Sequence, residues 1–134
     1  MAILEWSEAL SVGFEEIDRD HRKLIDMLND LDDAVASDRA TDVVDRILDD
    51  LISYTAWHFR HEERLMQSYG DPAFFDHKTE HEKLVDTALA LQTRFRDGEQ
   101  RIPESLLAFL KDWLSGHILG TDKKTGRFLA ENAS

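Results

Sequence analysis

The sequence predicts an all-α fold, an antiparallel up-down-up-down four-helix bundle with an N-terminal arm and a short C-terminal tail. Apolar residues recur every three or four positions along four long stretches, which is the period of a helix that buries one face. The two prolines, Pro72 and Pro103, lie far apart and leave those stretches uninterrupted. Short polar connections between the stretches favour neighbouring helices that run in opposite directions.

The N-terminal arm covers residues 1 to about 16, which carry Trp6 and Phe14 without a sustained period. We interpret it as an ordered segment packed by its aromatic side chains. Helix one is expected to start near Asp18, because aspartate is a favourable N-cap residue. The polar break at residues 37–39 should end it.

Glycine and proline set the expected limits of the other helices. Helix two should run from near Thr41 to Gly70, a residue type that often follows the end of a helix. Asp71-Pro72 reads as the N-cap and first position of helix three, which should end at Asp97-Gly98. Pro103 should open helix four.

Composition limits the possible functions. The 134 residues are expected to form one domain, residues 1–134, and 42% of them are hydrophobic, enough for a core. The net charge of −12 gives no basic face, so nucleic acids and anionic membranes are not expected partners. The absence of cysteine removes disulfides, thiolate metal sites and thiol catalysis. The first residues lack the basic and apolar regions of a secretory signal, and no stretch approaches the roughly 20 apolar residues of a membrane span. We therefore expect a cytoplasmic monomer without membrane insertion.

Histidines and carboxylates occupy places where a buried helix face would normally carry leucine. These residues are His21, His58, Glu62, His77, His81, His117 and Asp122. A lone histidine in such a stripe is more often a satisfied core residue than a ligand. Histidines from four predicted helices indicate a shared partner instead, and a pair of metal ions suits this donor set.

Spacing and chain direction place these residues together. His58 with Glu62, and His77 with His81, are four positions apart and share a helix face. His21 lies near the start of helix one, the second-helix pair near the end of helix two, the third-helix pair near the start of helix three, and His117 near the end of helix four. In an up-down bundle all four places lie at the same end, so the side chains could share one layer.

Asp122 does not follow the same rule. It lies five residues after His117, and five residues turn a regular helix through roughly 500°, which points Asp122 away from the histidine. Gly120 lies between the two. We expect the helix to loosen or end near Gly120 so that Asp122 turns back towards the site, and residues 127–129 to close the chain as a short tail.

The ligand types favour iron. Ferritin-like di-iron sites are built mainly from carboxylates and Glu-x-x-His pairs, and zinc proteases use His-Glu-x-x-His; neither pattern occurs at the proposed layer. A bare carboxylate of Glu62 in an apolar stripe would be costly to bury, and metal ions remove that cost. Five nitrogens and two bridging carboxylates suit two octahedral iron ions with one position open for a small molecule such as dioxygen.

At these residues the chain resembles the hemerythrin family, in particular its single-domain bacterial members. The matching stretches are 4–6, 17–21, 58–63, 65–66, 77–81 and 113–122, so the resemblance covers nearly the whole chain. It implies one hemerythrin-like domain with a non-haem di-iron centre bridged by an oxo or hydroxo group. By the resemblance, His77, His81 and His117 would hold one iron, and His21 and His58 the other, which keeps the open position. Glu62 and Asp122 would bridge both.

The resemblance also implies an apolar oxygen pocket around the open iron. Its matching residues are Leu24, Phe59, Trp113, Leu114 and Ile118. In any bundle these side chains would also be ordinary core residues. His61, a sixth histidine, is about 60° from His58 around helix two and is expected to face a neighbouring helix or solvent.

The function implied is reversible dioxygen binding for carriage, storage or delivery to an oxygen-consuming partner protein, without catalysis. Two alternatives stay open at this point. One is a di-iron enzyme that acts on peroxide or nitric oxide, and the other is an oxygen or iron sensor module.

Overall fold

The computed structural model describes residues 4–37, 41–96 and 104–132, and helices account for most of them. The α-helices are α1 (Glu15–Ala36), α2 (Thr41–Tyr69), α3 (Phe74–Arg96), α4 (Glu104–His117) and α5 (Lys123–Asn132). A 3-10 turn covers Glu8–Leu10, and a π-helical turn covers Ile118–Asp122. No strand occurs among the described residues. Helix α2 packs against both α1 and α3, and α1 also contacts α4. The predicted all-α four-helix bundle is confirmed.

Helix α1 begins three residues earlier than the sequence suggested. Its first residue is Glu15, and Asp18 lies inside the first turn rather than before it. The Asp18 carboxylate accepts hydrogen bonds from the Ser11 hydroxyl at 2.6 Å and the Val12 amide at 2.8 Å. Asp18 therefore ties the N-terminal arm to α1 instead of capping the helix.

The arm packs as expected. Leu10 and Val12 are buried, and Trp6 and Phe14 pack against the core cluster. The ring of Phe14 meets that of Tyr69 edge-on, with 6.2 Å between centroids. Aromatic contacts thus hold the arm against the bundle, in agreement with the interpretation of the sequence.

The connection between α2 and α3 is a short turn at Gly70 and Asp71. Gly70 has φ +71°, a conformation that glycine adopts without strain, and the Asp71 amide donates to the Met66 carbonyl. The Asp71 carboxylate accepts from the Ala73 amide at 2.9 Å. Asp71 therefore acts as the expected cap, but regular α3 starts at Phe74, two residues after Pro72.

The C-terminal segment differs from the expected tail. The chain continues as α5, a ten-residue helix in which Leu129 is fully buried. The predicted limits at residues 38–39, at 97–98 and at Pro103 lie outside the described residues.

Buried apolar side chains lie on both sides of the histidine layer, because Ile17 precedes His21 by one turn of α1 and Leu24 follows it by nearly one turn. Leu24, Leu28 and Leu31 of α1 are at most 1% exposed and pack with leucines of α2 and α4. Helix α3 contributes mainly half-buried apolar residues, and its buried side chains include His77, His81 and Gln92. Among the described helices, none is both long enough and apolar enough to cross a membrane.

Candidate metal centre

The seven side chains singled out in the sequence converge at one end of the bundle. None of them is more than 5% exposed, and His21, Glu62 and Asp122 are fully buried. Helices α1 to α4 supply all of them except Asp122, which ends the π-helical turn after α4. The antiparallel arrangement therefore produces the predicted common layer.

The π-helical turn brings Asp122 back to His117. The Asp122 Oδ1 atom lies 3.0 Å from His117 Nε2, although five residues separate the two in sequence. A π-turn holds more residues per turn than an α-helix, so it reduces the angle between them. The expected loosening near Gly120 is confirmed, but the helix does not end there.

Each carboxylate places one oxygen beside each of two histidine groups. Glu62 Oε2 lies 3.1 Å from His58 Nε2, while Glu62 Oε1 lies 2.5 Å from His77 Nε2. Asp122 Oδ2 lies 2.9 Å from His21 Nε2, while Asp122 Oδ1 lies 3.2 Å from His77 Nε2. Both carboxylates therefore span the gap between the His21–His58 pair and the His77–His81–His117 group, as bridging ligands would.

Most of the nitrogen and oxygen atoms that face one another in this cluster do not form hydrogen bonds with each other. The Nε2 atoms of His21, His58 and His77, and both oxygens of Glu62 and Asp122, are buried without an acceptable hydrogen bond among the described residues. Buried polar atoms normally have partners. The unpartnered nitrogen and oxygen atoms face one another across the site. Because imidazole nitrogens and bridging carboxylates are suitable ligands for iron, these residues fit a pair of iron ions.

The donor atoms form two overlapping groups. One contains Glu62, His77, His81, His117 and Asp122, with all ligand atoms within 4.8 Å of one another. The other contains His21, His58, Glu62 and Asp122 under the same limit. The three-histidine and two-histidine division suggested by the resemblance is the division that the fold makes, with the two carboxylates in both groups.

Three further carboxylates orient the histidines from outside. Asp20 lies 2.8 Å from His58 Nδ1, Glu63 lies 2.8 Å from His81 Nδ1, and Glu80 lies 2.8 Å from His117 Nδ1. A carboxylate at Nδ1 makes that nitrogen the donor, fixes the tautomer and leaves Nε2 free to bind a metal. Sequence reasoning missed these three residues. Each of these carboxylates is adjacent in sequence to a candidate ligand, and that position is the feature by which the sequence could have indicated them.

The other two histidines have different outer partners. The Thr125 hydroxyl lies 2.9 Å from His77 Nδ1 and also donates to the Thr121 carbonyl at 3.3 Å. His21 Nδ1 is buried without a hydrogen bond among the described residues. The two histidine groups therefore differ in outer contacts as well as in number of imidazoles.

The buried histidines and carboxylates of the cluster strongly shift one another's pKa values. Burial alone would lower the pKa of His58, but Asp20 and Glu62 raise it to about 10. Burial would likewise lower the pKa of His77, but Asp122 and Glu62 raise it to about 10. Burial together with His77 and His117 lowers the pKa of His81 to about 2. Without a metal, protons compensate the two buried carboxylates.

The family assignment follows from comparison with known proteins. The family model of the hemerythrin HHE cation binding domain matches residues 12–129. The chain belongs to the hemerythrin family. The bacteriohemerythrin of Methylococcus capsulatus is 38% identical over 133 residues, which are 97% of this chain and 99% of that protein. The bacteriohemerythrin of Stenotrophomonas maltophilia is 37% identical over 92% of this chain and 79% of that protein.

Solved hemerythrin structures have the same fold. A crystal structure of wild-type hemerythrin is 35% identical, with a TM-score of 0.89 over 96% of this chain and 99% of that one. The crystal structure of a hemerythrin point mutant gives 35% identity and a TM-score of 0.90 over 97% and 99%. The resemblance inferred from the motifs is therefore confirmed.

The apolar residues of this hemerythrin next to the cluster lie in two places. Leu24, Trp113 and Leu114 line a narrow cavity of about 20 Å³ between the helices. The Phe59 ring instead stacks on His81, with parallel planes and 3.8 Å between centroids. The side chain of Ile118 lies outside the described residues.

His61 takes no part in either ligand group. Its Nδ1 lies 2.6 Å from the same Asp20 oxygen that His58 contacts, and its Nε2 lies 3.3 Å from Glu16. The expectation that His61 faces a neighbour is confirmed, and the neighbour is α1. Through Asp20, this histidine is connected to the two-histidine group.

Proposed function

We propose that this hemerythrin binds dioxygen reversibly at a non-haem di-iron centre and serves in oxygen carriage, storage or delivery to an oxygen-consuming partner. The observation that carries the proposal is the placement of Glu62 and Asp122, each with one oxygen facing each histidine group. Family membership and the naming of its relatives as bacteriohemerythrins support the same function.

The proposed metal ligands keep the division described above. His77, His81 and His117 would hold one iron, and His21 and His58 would hold the other. Glu62 and Asp122 would each offer one oxygen to each iron. When bound, the iron pair supplies the electrons and the open position that dioxygen needs.

The protein side chains then have two tasks. Asp20, Glu63 and Glu80 keep the Nε2 atoms of their histidines aimed at the metals through the contacts to Nδ1. Leu24, Trp113 and Leu114 keep water away from the neighbouring cavity. None of the residues that line this cavity in the described part of the chain is ionisable, and the Thr55 hydroxyl donates to the Leu51 carbonyl. A pocket without an acid or base favours binding and release over catalytic turnover.

The decisive experiment is an anaerobic titration of the iron-free protein with ferrous ion, followed by oxygen and monitored by absorbance. We expect two irons per chain by elemental analysis and a long-lived oxygenated species that disappears under vacuum. Zinc without iron would contradict the di-iron proposal. Rapid multiple turnover with peroxide or nitric oxide would show an enzyme instead of a carrier. Sedimentation should give a monomer.

A further inference from the structure

A basic groove lies between α2 and α3 in this acidic protein. Its lining residues include Trp57, Arg60, Arg64, Phe74 and Lys78, and its volume is about 440 Å³. Glu63 is the only carboxylate among the lining residues of the described chain, and it is turned towards His81. Three cations against one carboxylate contrast with a net charge of −12 for the whole chain. The groove is therefore a local positive region on a negative surface.

The cations of this groove are available to a partner. Arg60, Arg64 and Lys78 are exposed, and none makes an ion pair within 4 Å in the part of the chain that the structure describes, although the charge of Lys78 acts on Glu63 from a longer distance. Apolar rings accompany them. Trp57 is 43% exposed, and Phe75, which contacts Phe74, is 77% exposed. Exposed aromatic and arginine side chains together are typical of protein–protein interfaces rather than of sites for small anions.

The same groove reaches the candidate metal centre by two short series of contacts. On one side, the Trp57 ring lies 5.2 Å from the His61 ring, and His61 shares the Asp20 carboxylate with His58. On the other side, Glu63 lines the groove and contacts His81 Nδ1 at 2.8 Å. The groove is thus connected to one histidine of each ligand group.

We propose that the basic groove is the docking surface for an acidic one-electron carrier protein, which returns the oxidised di-iron centre to its diferrous form. This inference rests on the proposed function. An oxygen carrier that becomes oxidised needs electrons from outside, and a chain without cysteine has no thiol or thiolate-bound iron–sulfur cluster of its own to supply them. Two reduced carriers each lose one electron, each ferric ion gains one, and one proton from solvent goes to the bridging oxo group.

Charge complementarity selects an acidic partner over a basic one. A local cluster of cations attracts an acidic protein surface and orients it even when the total charge of the protein is negative. The attraction between exposed charges decreases with salt, because the Debye length is only about 8 Å at physiological ionic strength.

Equilibrium binding is the first test. The iron-loaded protein is titrated by calorimetry with an oxidised plant-type [2Fe–2S] ferredoxin of net negative charge, so that no electron is transferred. We expect Arg64→Glu to weaken binding at least tenfold, and Lys78→Glu to do the same from α3. The matched control is Arg46→Glu, an identical charge change on the exposed surface of α2 roughly 27 Å from Arg64 along the helix, which should change binding less than twofold.

Reduction kinetics are the second test. Reduced ferredoxin should convert the diferric protein at a rate that falls with salt, and Arg64→Glu should slow this reaction at least tenfold at low salt. Reduction by the methyl viologen radical, a small cation, should not be slowed by the same variant. Equal effects of Arg64→Glu and Arg46→Glu on both measurements would overturn the proposal.

Three other outcomes have separate meanings. Concentration-dependent dimerisation that Arg64→Glu abolishes would assign the groove to a second copy of this chain and overturn the proposal. Wild-type protein that holds two irons and binds oxygen reversibly, but shows no salt-sensitive ferredoxin binding, would overturn this inference alone. Protein that takes up no iron would instead overturn the proposed function on which the inference rests.

Discussion

At the level of single residues, Glu62 and Asp122 connect the two histidine groups. Both are fully buried, and each presents its two oxygens to different imidazoles. The environment of Asp122 is unusual because burial would raise its pKa, whereas His117, His21 and His77 lower it well below the ordinary value. The next positions outwards, Asp20, Glu63 and Glu80, decide which imidazole nitrogen faces inwards.

Replacing one histidine of the three-histidine group should remove one metal position. We expect His77→Ala to reduce the iron content from about two to about one per chain, because the remaining groups cannot complete that position. Elemental analysis and the absorbance of the oxidised protein measure this. Thr79→Ala, an exposed neighbour on α3, should keep both irons. Full iron content in His77→Ala would show that His77 is not a ligand.

Shortening one side chain of the apolar cavity should speed loss of the oxygenated form. Leu114→Ala enlarges the cavity that Leu114 lines with Leu24 and should increase autoxidation several-fold, because water gains access. It should also cost about 2–5 kcal/mol of stability. Leu107→Ala, which is also buried in α4 but lies outside the cavity lining, controls for that loss. Equal autoxidation rates in the two variants would argue against a role for Leu114 in excluding water.

At the level of elements, the segment from α4 to α5 determines whether the site is complete. The π-helical turn Ile118–Asp122 turns Asp122 inwards, and α5 then packs under the N-terminal arm. The position of α5 depends on Gly126, where an added Cβ would overlap with the Val12 carbonyl oxygen and lie 2.6 Å from the Val12 Cβ. The N-terminal arm, the π-helical turn Ile118–Asp122 and α5 therefore pack together as one unit.

A methyl group at Gly126 should disturb this unit. We expect Gly126→Ala to lower the free energy of unfolding by about 1–3 kcal/mol, because Val12 must move away. Gly116→Ala in α4 meets no atom within 4 Å and should raise stability by about 0.5–1 kcal/mol through helix propensity. Chemical denaturation measures both values. Equal stability of the two variants would show that the arm does not need the close approach.

At the level of the whole molecule, the fold holds two buried carboxylates in place. Their negative charge is balanced by protons on histidines or by metal ions. In the iron-free protein, His58, His77 and His117 carry the compensating charge, because the pKa values of His58 and His77 are raised to about 10 and Asp122 raises the pKa of His117 despite its burial. Iron must replace those protons, since a histidine binds a metal through a neutral imidazole.

The stability of the iron-free protein should therefore depend on pH in a defined direction. The folded-state pKa values of His58 and His77 lie above the ordinary value of 6.5, so their contribution is complete below about pH 6.5. It decreases as pH rises and is lost above about pH 10. Thermal unfolding at pH 6, 8 and 10 should show a decreasing midpoint for the iron-free protein and a smaller decrease for the iron-loaded protein. A midpoint that rises over this range without iron would contradict the assignment.

Local spacing explains why much of the fold and site could be predicted. The period of the apolar residues indicated four helices, and His58 with Glu62 and His77 with His81 needed only regular helical geometry to share a face. Chain direction placed the four groups at one end. The sequence predicts a start of α1 that is three residues too late. Asp18 accepts hydrogen bonds from Ser11 and Val12 of the arm, and no local preference for a capping residue indicates those bonds.

The sequence by itself determined the four-helix class, the seven candidate ligands and their common end of the bundle, because these depend on helical period and chain direction. Only the tertiary structure decided which oxygen faces which histidine, that Asp20, Glu63 and Glu80 lie behind the imidazoles, and that the segment after Asp122 is a helix. It also decided that Trp57, Arg60, Arg64 and Lys78 share one groove. The physical reason is that these features depend on distances between helices, which packing sets and local spacing does not encode.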